Sequence, residues 1–289
     1  MKYRSNSILA LIPQSDEGER LLQQVFFFQR SLQMRVFLLN IIHPIGWFTR
    51  SFQPKKAVKI KMDAKEELKD FAAKAFQNNI PDDYILRVQV GKKVPVLVNE
   101  SQKGGYEFIV IDKSCGNYPG SFCKNEVDKF INRSFCPVLT INKDFQVDEI
   151  KKIIVPIDIS QPTKKRLYWA TYFAKKYNAK IQIVSALNAG ISETKSLAYK
   201  NAEDIRTMLT GRGVVCEVVI LKVQQQKSHK VILNYIGEQN PDMIIIRTHQ
   251  ESMFAEGRIG KFVSGIVHGC KMPVFVVGQS TLSLPADFE

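Results

Sequence analysis

The sequence predicts an α/β fold of two doubly wound, five-stranded parallel-sheet domains in tandem, and two observations carry that prediction. The first is self-similarity. Ser7-Ile8-Leu9-Ala10-Leu11-Ile12-Pro13, a helical pattern and Met34-Arg35-Val36-Phe37-Leu38-Leu39-Asn40 recur as Lys152-Ile153-Ile154-Val155-Pro156-Ile157-Asp158, a helical pattern and Ala179-Lys180-Ile181-Gln182-Ile183-Val184-Ser185. Residues 106–112 likewise recur as 241–247, and 135–141 as 271–277. Solenoid periods run to roughly 50 residues, so a repeat spanning half the chain means two copies of one domain. The second observation is alternation of short β-branched runs with longer stretches of helical spacing. Strands separated by helices require right-handed crossovers and a parallel sheet covered on both faces.

Along the first copy, the apolar run 7–13 reads as a strand ended by Pro13, then a helix, then a strand at 34–40. The densest basic patch, Lys55-Lys56-Ala57-Val58-Lys59-Ile60-Lys61, reads as a loop leading into a helix at 64–71. The runs 106–112 and 135–141 are the copy's later strands. In the second copy Ile153-Ile154-Val155 is too short and too branched for a helix, and Pro156 ends it. Leu167, Ala170, Thr171, Ala174 and Tyr177 fall at helical spacing, and Asn178 closes that helix. Ile181, Ile183 and Val184 form the next strand, and 201–209 a helix stopped by Gly211. A strand at 214–221, a helix at 230–237, a strand at 243–246, a helix at 260–267 and a strand at 274–277 complete the copy. Residues 144–149 read as the linker, which divides the chain into domains 1–147 and 148–289.

The 289 residues carry 41 Lys and Arg against 28 Asp and Glu, a net charge of +13. The excess divides almost evenly, +6 in residues 1–148 and +7 in the remainder, so it is not a basic tail. Nucleic acid or an acidic membrane surface could meet the 55–61 patch, but no aromatic ladder or nucleic-acid motif accompanies it, and a solvated surface is the expectation. No apolar run approaches the ~20 residues that cross a bilayer. No cleavage signal follows the basic start, and a cytoplasmic protein is expected. Five cysteines without metal-finger spacing read as free thiols, although Cys115 and Cys123 share a Gly- and Pro-containing stretch in which a redox pair is conceivable.

In such sheets ligands sit beyond the carboxyl ends of the strands, where strand order reverses. At those segments the chain resembles the universal stress protein family in a tandem form, over residues 7–278. The second copy carries the resemblance through Ile153-Ile154-Val155-Pro156-Ile157-Asp158, Ile244-Ile245-Ile246-Arg247-Thr248-His249 and Met272-Pro273-Val274-Phe275-Val276-Val277. The resemblance implies a Rossmann-like fold akin to the adenine nucleotide alpha hydrolases. ATP-binding members have a loop of the form Gly, two residues, Gly, nine residues, Gly, then Ser or Thr, whose amides and following helix N-terminus close on phosphates. Here Gly260 fills the third glycine position, Lys261 the Ser/Thr position, and Arg247 and Gln250 the first two, so the loop is degenerate. The first copy departs further, with Pro13 in place of the strand-one Asp and Asp112, Cys115, Lys124 and Asn125 at the loop positions. It is not expected to hold ATP in the family's manner.

Gly257-Arg258-Ile259-Gly260-Lys261 nonetheless offers amides, a helix start and two cations to an anion, or is simply a tight entry to the last helix. Asp158 is either the residue beside adenine and ribose that the resemblance implies, or an Asx turn or cap. A ligand in this copy would have Pro156, Asp158 and Ala186 near the base, and Thr248, His249, Gly260 and Lys261 near the phosphates. No nucleophile elbow, paired-acid site or metal spacing is present in the sequence, which favours a binding protein over an enzyme. The reading is therefore a stress-response binding or regulatory protein. One alternative is an ATP-binding protein with slow hydrolysis confined to the second domain; the other is a basic nucleic-acid-associated factor. No cofactor is required by the residues, and ATP or another phosphate-containing ligand in the second domain is the candidate. Expected partners are the two domains themselves, as an intramolecular pseudo-dimer through their last strands, a homodimer, or an unnamed protein; nucleic acid and membrane are not expected.

Overall fold

The computed structural model describes residues 6–43, 54–103, 105–118, 120–157, 164–188, 192, 196–223, 228–248 and 259–278. The first half contains β1 (Ser7–Leu11), α1 (Asp16–Leu32), β2 (Arg35–Ile42), α2 (Pro54–Ala75), β3 (Tyr84–Val90), α3 (Lys93–Lys103), β4 (Phe108–Asp112), α4 (Lys124–Arg133) and β5 (Val138–Ile141). The second contains β6 (Lys152–Pro156), α5 (Lys164–Tyr177), β7 (Lys180–Asn188), α6 (Leu197–Thr210), β8 (Cys216–Val223), α7 (Ser228–Gln239), β9 (Met243–Arg247), α8 (Lys261–Gly269) and β10 (Val274–Val277).

Strands that are apolar at every position need cover on both faces, and here they have it. In β1 the alternating residues Ile8 and Ala10 join one core and Leu9 and Leu11 the other. The first core takes α1, with Leu21, Leu22, Val25, Phe28 and Leu32 buried at helical spacing. The second takes α4 and α8 through Val127, Phe130, Phe262, Val263 and Ile266. Helix α1 begins where the Ser15 hydroxyl accepts from the Gly18 amide, and three acids in its first turn suit the positive end of its dipole. It ends at Gln33 in the left-handed region.

Two local readings are corrected. The basic stretch 55–61 is helical, the first turns of α2, opened by Pro54, whose fixed φ suits a first helical position. A strand at 84–90 and a helix at 93–103, which the five-stranded expectation required but did not locate in the first copy, complete its alternation.

Each half contributes five parallel strands, but they form one ten-stranded sheet in the order β3-β2-β1-β4-β5-β10-β9-β6-β7-β8. The seam is β5 against β10, the single antiparallel pair among the described strands, with Phe275 opposite Leu139. The Thr140 hydroxyl adds a 3.2 Å bond to the Val274 carbonyl. Trp169 and Phe173 on α5 pack across this seam onto Phe275 and onto Phe108 of β4, with the Trp169 and Phe275 rings 4.9 Å apart. All four rings are fully buried.

Candidate functional site

In the second half β6 is flanked by β7 and β9, so the chain leaves β6 to one side and returns on the other. The crevice beyond the carboxyl ends of β6 and β9 is the position at which open α/β sheets bind ligands. Pro156 ends β6 in register with Val184, and the next amide, Ile157, donates to the Val184 carbonyl at 2.8 Å. Ala186 is half-buried on β7, paired with Leu221 of β8. On the other side Arg247 ends β9, and the Thr248 amide donates to the Val277 carbonyl at 3.1 Å. Gly260 is the N-cap of α8 and Lys261, exposed, its first residue. The structure thus places Pro156, Ala186, Thr248, Gly260 and Lys261 at strand ends and a helix start; Asp158, His249, Gly257 and Arg258 lie outside the described residues.

Two polar groups here are unpaired among the described residues. The Thr248 hydroxyl is buried, with Thr248 only 1 % exposed, and Nε of half-buried Arg247 also lacks a partner. Desolvation lowers the Arg247 pKa from its ordinary value. A buried hydroxyl and a desolvated guanidinium Nε without acceptors among the described residues disfavour folding unless something supplies oxygen atoms. The residues present therefore fit a phosphate or similar oxyanion. Arg247 was noted in the sequence only as a glycine position lost; its donor capacity was the signal available there.

The corresponding place in the first half is arranged differently. Asp112, fully buried at the end of β4, accepts from the Ser114 amide at 2.7 Å, the Ser114 hydroxyl at 2.5 Å and the Tyr118 hydroxyl. Burial, then the bond to Asp112, raises the Tyr118 phenol above its usual range. A Cβ on Gly120 would stand 3.4 Å from Pro13, so the segment after β4 packs directly on the residue that replaces the strand-one Asp. Cys115 adopts φ 51, and burial pushes its thiol up to about 11; neither it nor exposed Cys123 is in a disulfide. Lys124 and Asn125 begin α4 and are exposed.

Sequence reasoning missed a polar clamp between the halves. Asp128 on α4 accepts from the Ser264 hydroxyl at 2.8 Å and lies 2.8 Å from His268 Nε2, both residues being on α8. Ser264 and His268 are four apart, hence on one helix face, which was the legible part of the signal. Although the set contains Ser, His and Asp, both partners bond to the carboxylate. The histidine does not address the hydroxyl as a general base must, and the cluster is an inter-half tie. No group of three or more metal-ligating side chains occurs among the described residues, and none of the described helices is long and apolar enough to cross a membrane.

Comparison with known proteins agrees with this architecture. A sequence model of the universal stress protein family matches residues 149–278. The chain is similar to the crystal structure of a universal stress protein from Archaeoglobus fulgidus DSM 4304, at 19 % identity and TM-score 0.71, covering 96 % of this chain and 100 % of that one. It is also similar to a provisionally named universal stress protein from Pseudomonas aeruginosa UCBPP-PA14, at 17 % identity and TM-score 0.61, covering 94 % of this chain and 93 % of that one. No curated protein matches in sequence. At these identities the structural likeness speaks to the fold, and the sequence match to the second half. Residues 149–278 thus match the universal stress protein family and are joined through a shared sheet to a first half of the same strand order.

Proposed function

We propose that the protein is a stress-response binding or regulatory protein of the cytoplasm, built as two universal stress protein domains, 1–147 and 148–289. Its ligand, ATP or another phosphate-containing molecule, belongs to the second domain. The observation that supports this is the contrast at the end of the fourth strand of each half. In the first, Asp112 is satisfied by its own neighbours, and its carboxylate would repel a phosphate. In the second, the Thr248 hydroxyl and Arg247 Nε lack partners among the described residues, at the end of the strand that precedes the helix starting at Gly260 and Lys261. Pro156 and Ala186 would then flank the base, while Asp158, His249, Gly257 and Arg258 would complete the site. The antiparallel pairing of β5 with β10 supports reading the chain as an intramolecular pseudo-dimer, in which the first domain provides the partner surface that a separate copy would otherwise supply.

Calorimetric titration with ATP tests the proposal. A charge-assisted contact from Lys261 is worth about 1.5 to 3 kcal/mol, so Lys261→Ala should weaken binding about tenfold or more. Gly260→Val should weaken it further by obstructing the amides at the start of α8. Absence of binding by the wild type, or equal binding by all three proteins, rejects the assignment.

A further inference from the structure

A cavity lies between α1 and the segment joining the two halves. Its volume is about 410 Å³, within the range of small-molecule sites. Arg20 and Arg30 on α1 and Lys143 on the joining segment line it, with Asp148 as the sole acid. The Asp148 carboxylate accepts from Gln146 at 3.0 Å, whereas neither arginine has a carboxylate partner among the described residues. The apolar wall is aromatic. Phe27 and Phe145 are half-buried, and Phe27 is held in place by stacking on Tyr177 of α5, with centroids 5.8 Å apart.

The base of the cavity holds a buried amide that is only half satisfied. Gln24 lines it, is 3 % exposed, and donates through Nε2 to the Asn142 carbonyl at 2.8 Å, while its Oε1 is buried without a donor. An unpaired buried acceptor is costly, and it marks where an incoming donor would be stabilised. Two arginines without an acidic partner among the described residues, a fixed aromatic wall and an open acceptor together describe one ligand chemistry, an anion that also carries a ring and a hydrogen-bond donor. We propose that this cavity is a ligand site for a small anion carrying an aromatic ring and an N–H or O–H donor, its charge held by the arginines of α1, its ring by Phe27 and Phe145 and its donor by Gln24 Oε1. Arginine suits this arrangement because its planar guanidinium both pairs with an oxyanion and lies flat on rings. The site stands apart from the second-half crevice and does not depend on it.

The probe is an aminonaphthalene sulfonate, titrated into the full chain by fluorescence and calorimetry, with neutral naphthol and inorganic sulfate as separate arms. The aminonaphthalene sulfonate should bind at one site, at least tenfold more tightly than either arm. The double variant Arg20→Ser, Arg30→Ser alters two exposed side chains and should fold normally, yet lose at least tenfold in affinity; Lys261→Ala should bind the probe as the wild type does. Naphthol binding equally well would make the cavity merely apolar, and sulfate binding equally well would make it merely cationic. Either result, no binding, or an unchanged double variant overturns the proposal.

Discussion

Lys113 should weaken the protein it belongs to, in a way that pH reveals. It follows β4, is 4 % exposed, and its ammonium nitrogen donates to the Met272 carbonyl of the other half at 2.8 Å. Burial, only partly offset by Cys270 and Asp112, lowers its pKa from 10.5 to about 7. Because the folded pKa lies below the unfolded one, the folded state holds fewer protons between the two values, and stability rises with pH across that window. Below about pH 7 the whole penalty is present, on the order of 5 kcal/mol at about 1.4 kcal/mol per unit. Lys113→Met keeps the volume and removes the charge, but it leaves the Met272 carbonyl without that donor, a loss of about 1 to 3 kcal/mol. The variant should therefore be about 2 kcal/mol or more the stabler at pH 6. That advantage should shrink by about 2 kcal/mol by pH 8.5, where the wild-type amine is already neutral when folded. The hydrogen-bond loss cancels in this difference, as do the unfolded-state titrations of the cysteines. Urea unfolding of both proteins at the two pH values measures it. An advantage that does not change with pH, or a variant that is less stable at pH 6, refutes the reasoning.

Trp169→Ala, at the centre of the rings that bridge the seam, should cost about 3 to 5 kcal/mol, read as a lowered urea midpoint at an unchanged slope. Gly18→Ala should abolish soluble expression, because its Cβ would fall 1.7 Å from the Pro13 carbonyl oxygen, and the yield of soluble protein checks it; Gly237→Ala in α7 has nothing within 4 Å and should stabilise by about 0.5 to 1 kcal/mol, judged by thermal unfolding. A double-mutant cycle on Asp128→Ala and His268→Ala should return a coupling of about 0.5 to 3 kcal/mol, and additive effects would remove the inter-half tie from the account.

The central strands were legible because burial on both faces demands uninterrupted apolar runs: β1, β4, β6, β9 and β10 each show one. Strand β3 was not, because it is an outermost strand with residues of mixed exposure, so Arg87 and Gln89 interrupt the pattern. The start of α2 was misread for a related reason. Its lysines surround Val58 and Met62, which are 57 % and 64 % exposed, so no apolar stripe signals a helix, and Pro54 was the remaining clue. At the candidate site, spacing located Thr248, Gly260 and Lys261 at a strand end and a helix start. It could not reveal that the Thr248 hydroxyl and Arg247 Nε lack partners, since satisfaction of a donor depends on groups far away in the chain.

The β5–β10 seam also bears on how the two halves can change over time. Two separate chains meeting edge to edge dissociate, exchange partners and confront every substitution twice, once on each side of the contact. Halves joined by a ten-residue stretch, 142–151, meet at high effective concentration and always in the same combination. A residue altered in one is never mirrored in the other. The first half can lack glycine at all three positions of the family's loop pattern and tie Asp112 to Tyr118 while still offering β5 to β10. Division of labour between the halves is thus compatible with the joint itself, and the edges left open to further strand pairing are those of β3 and β8.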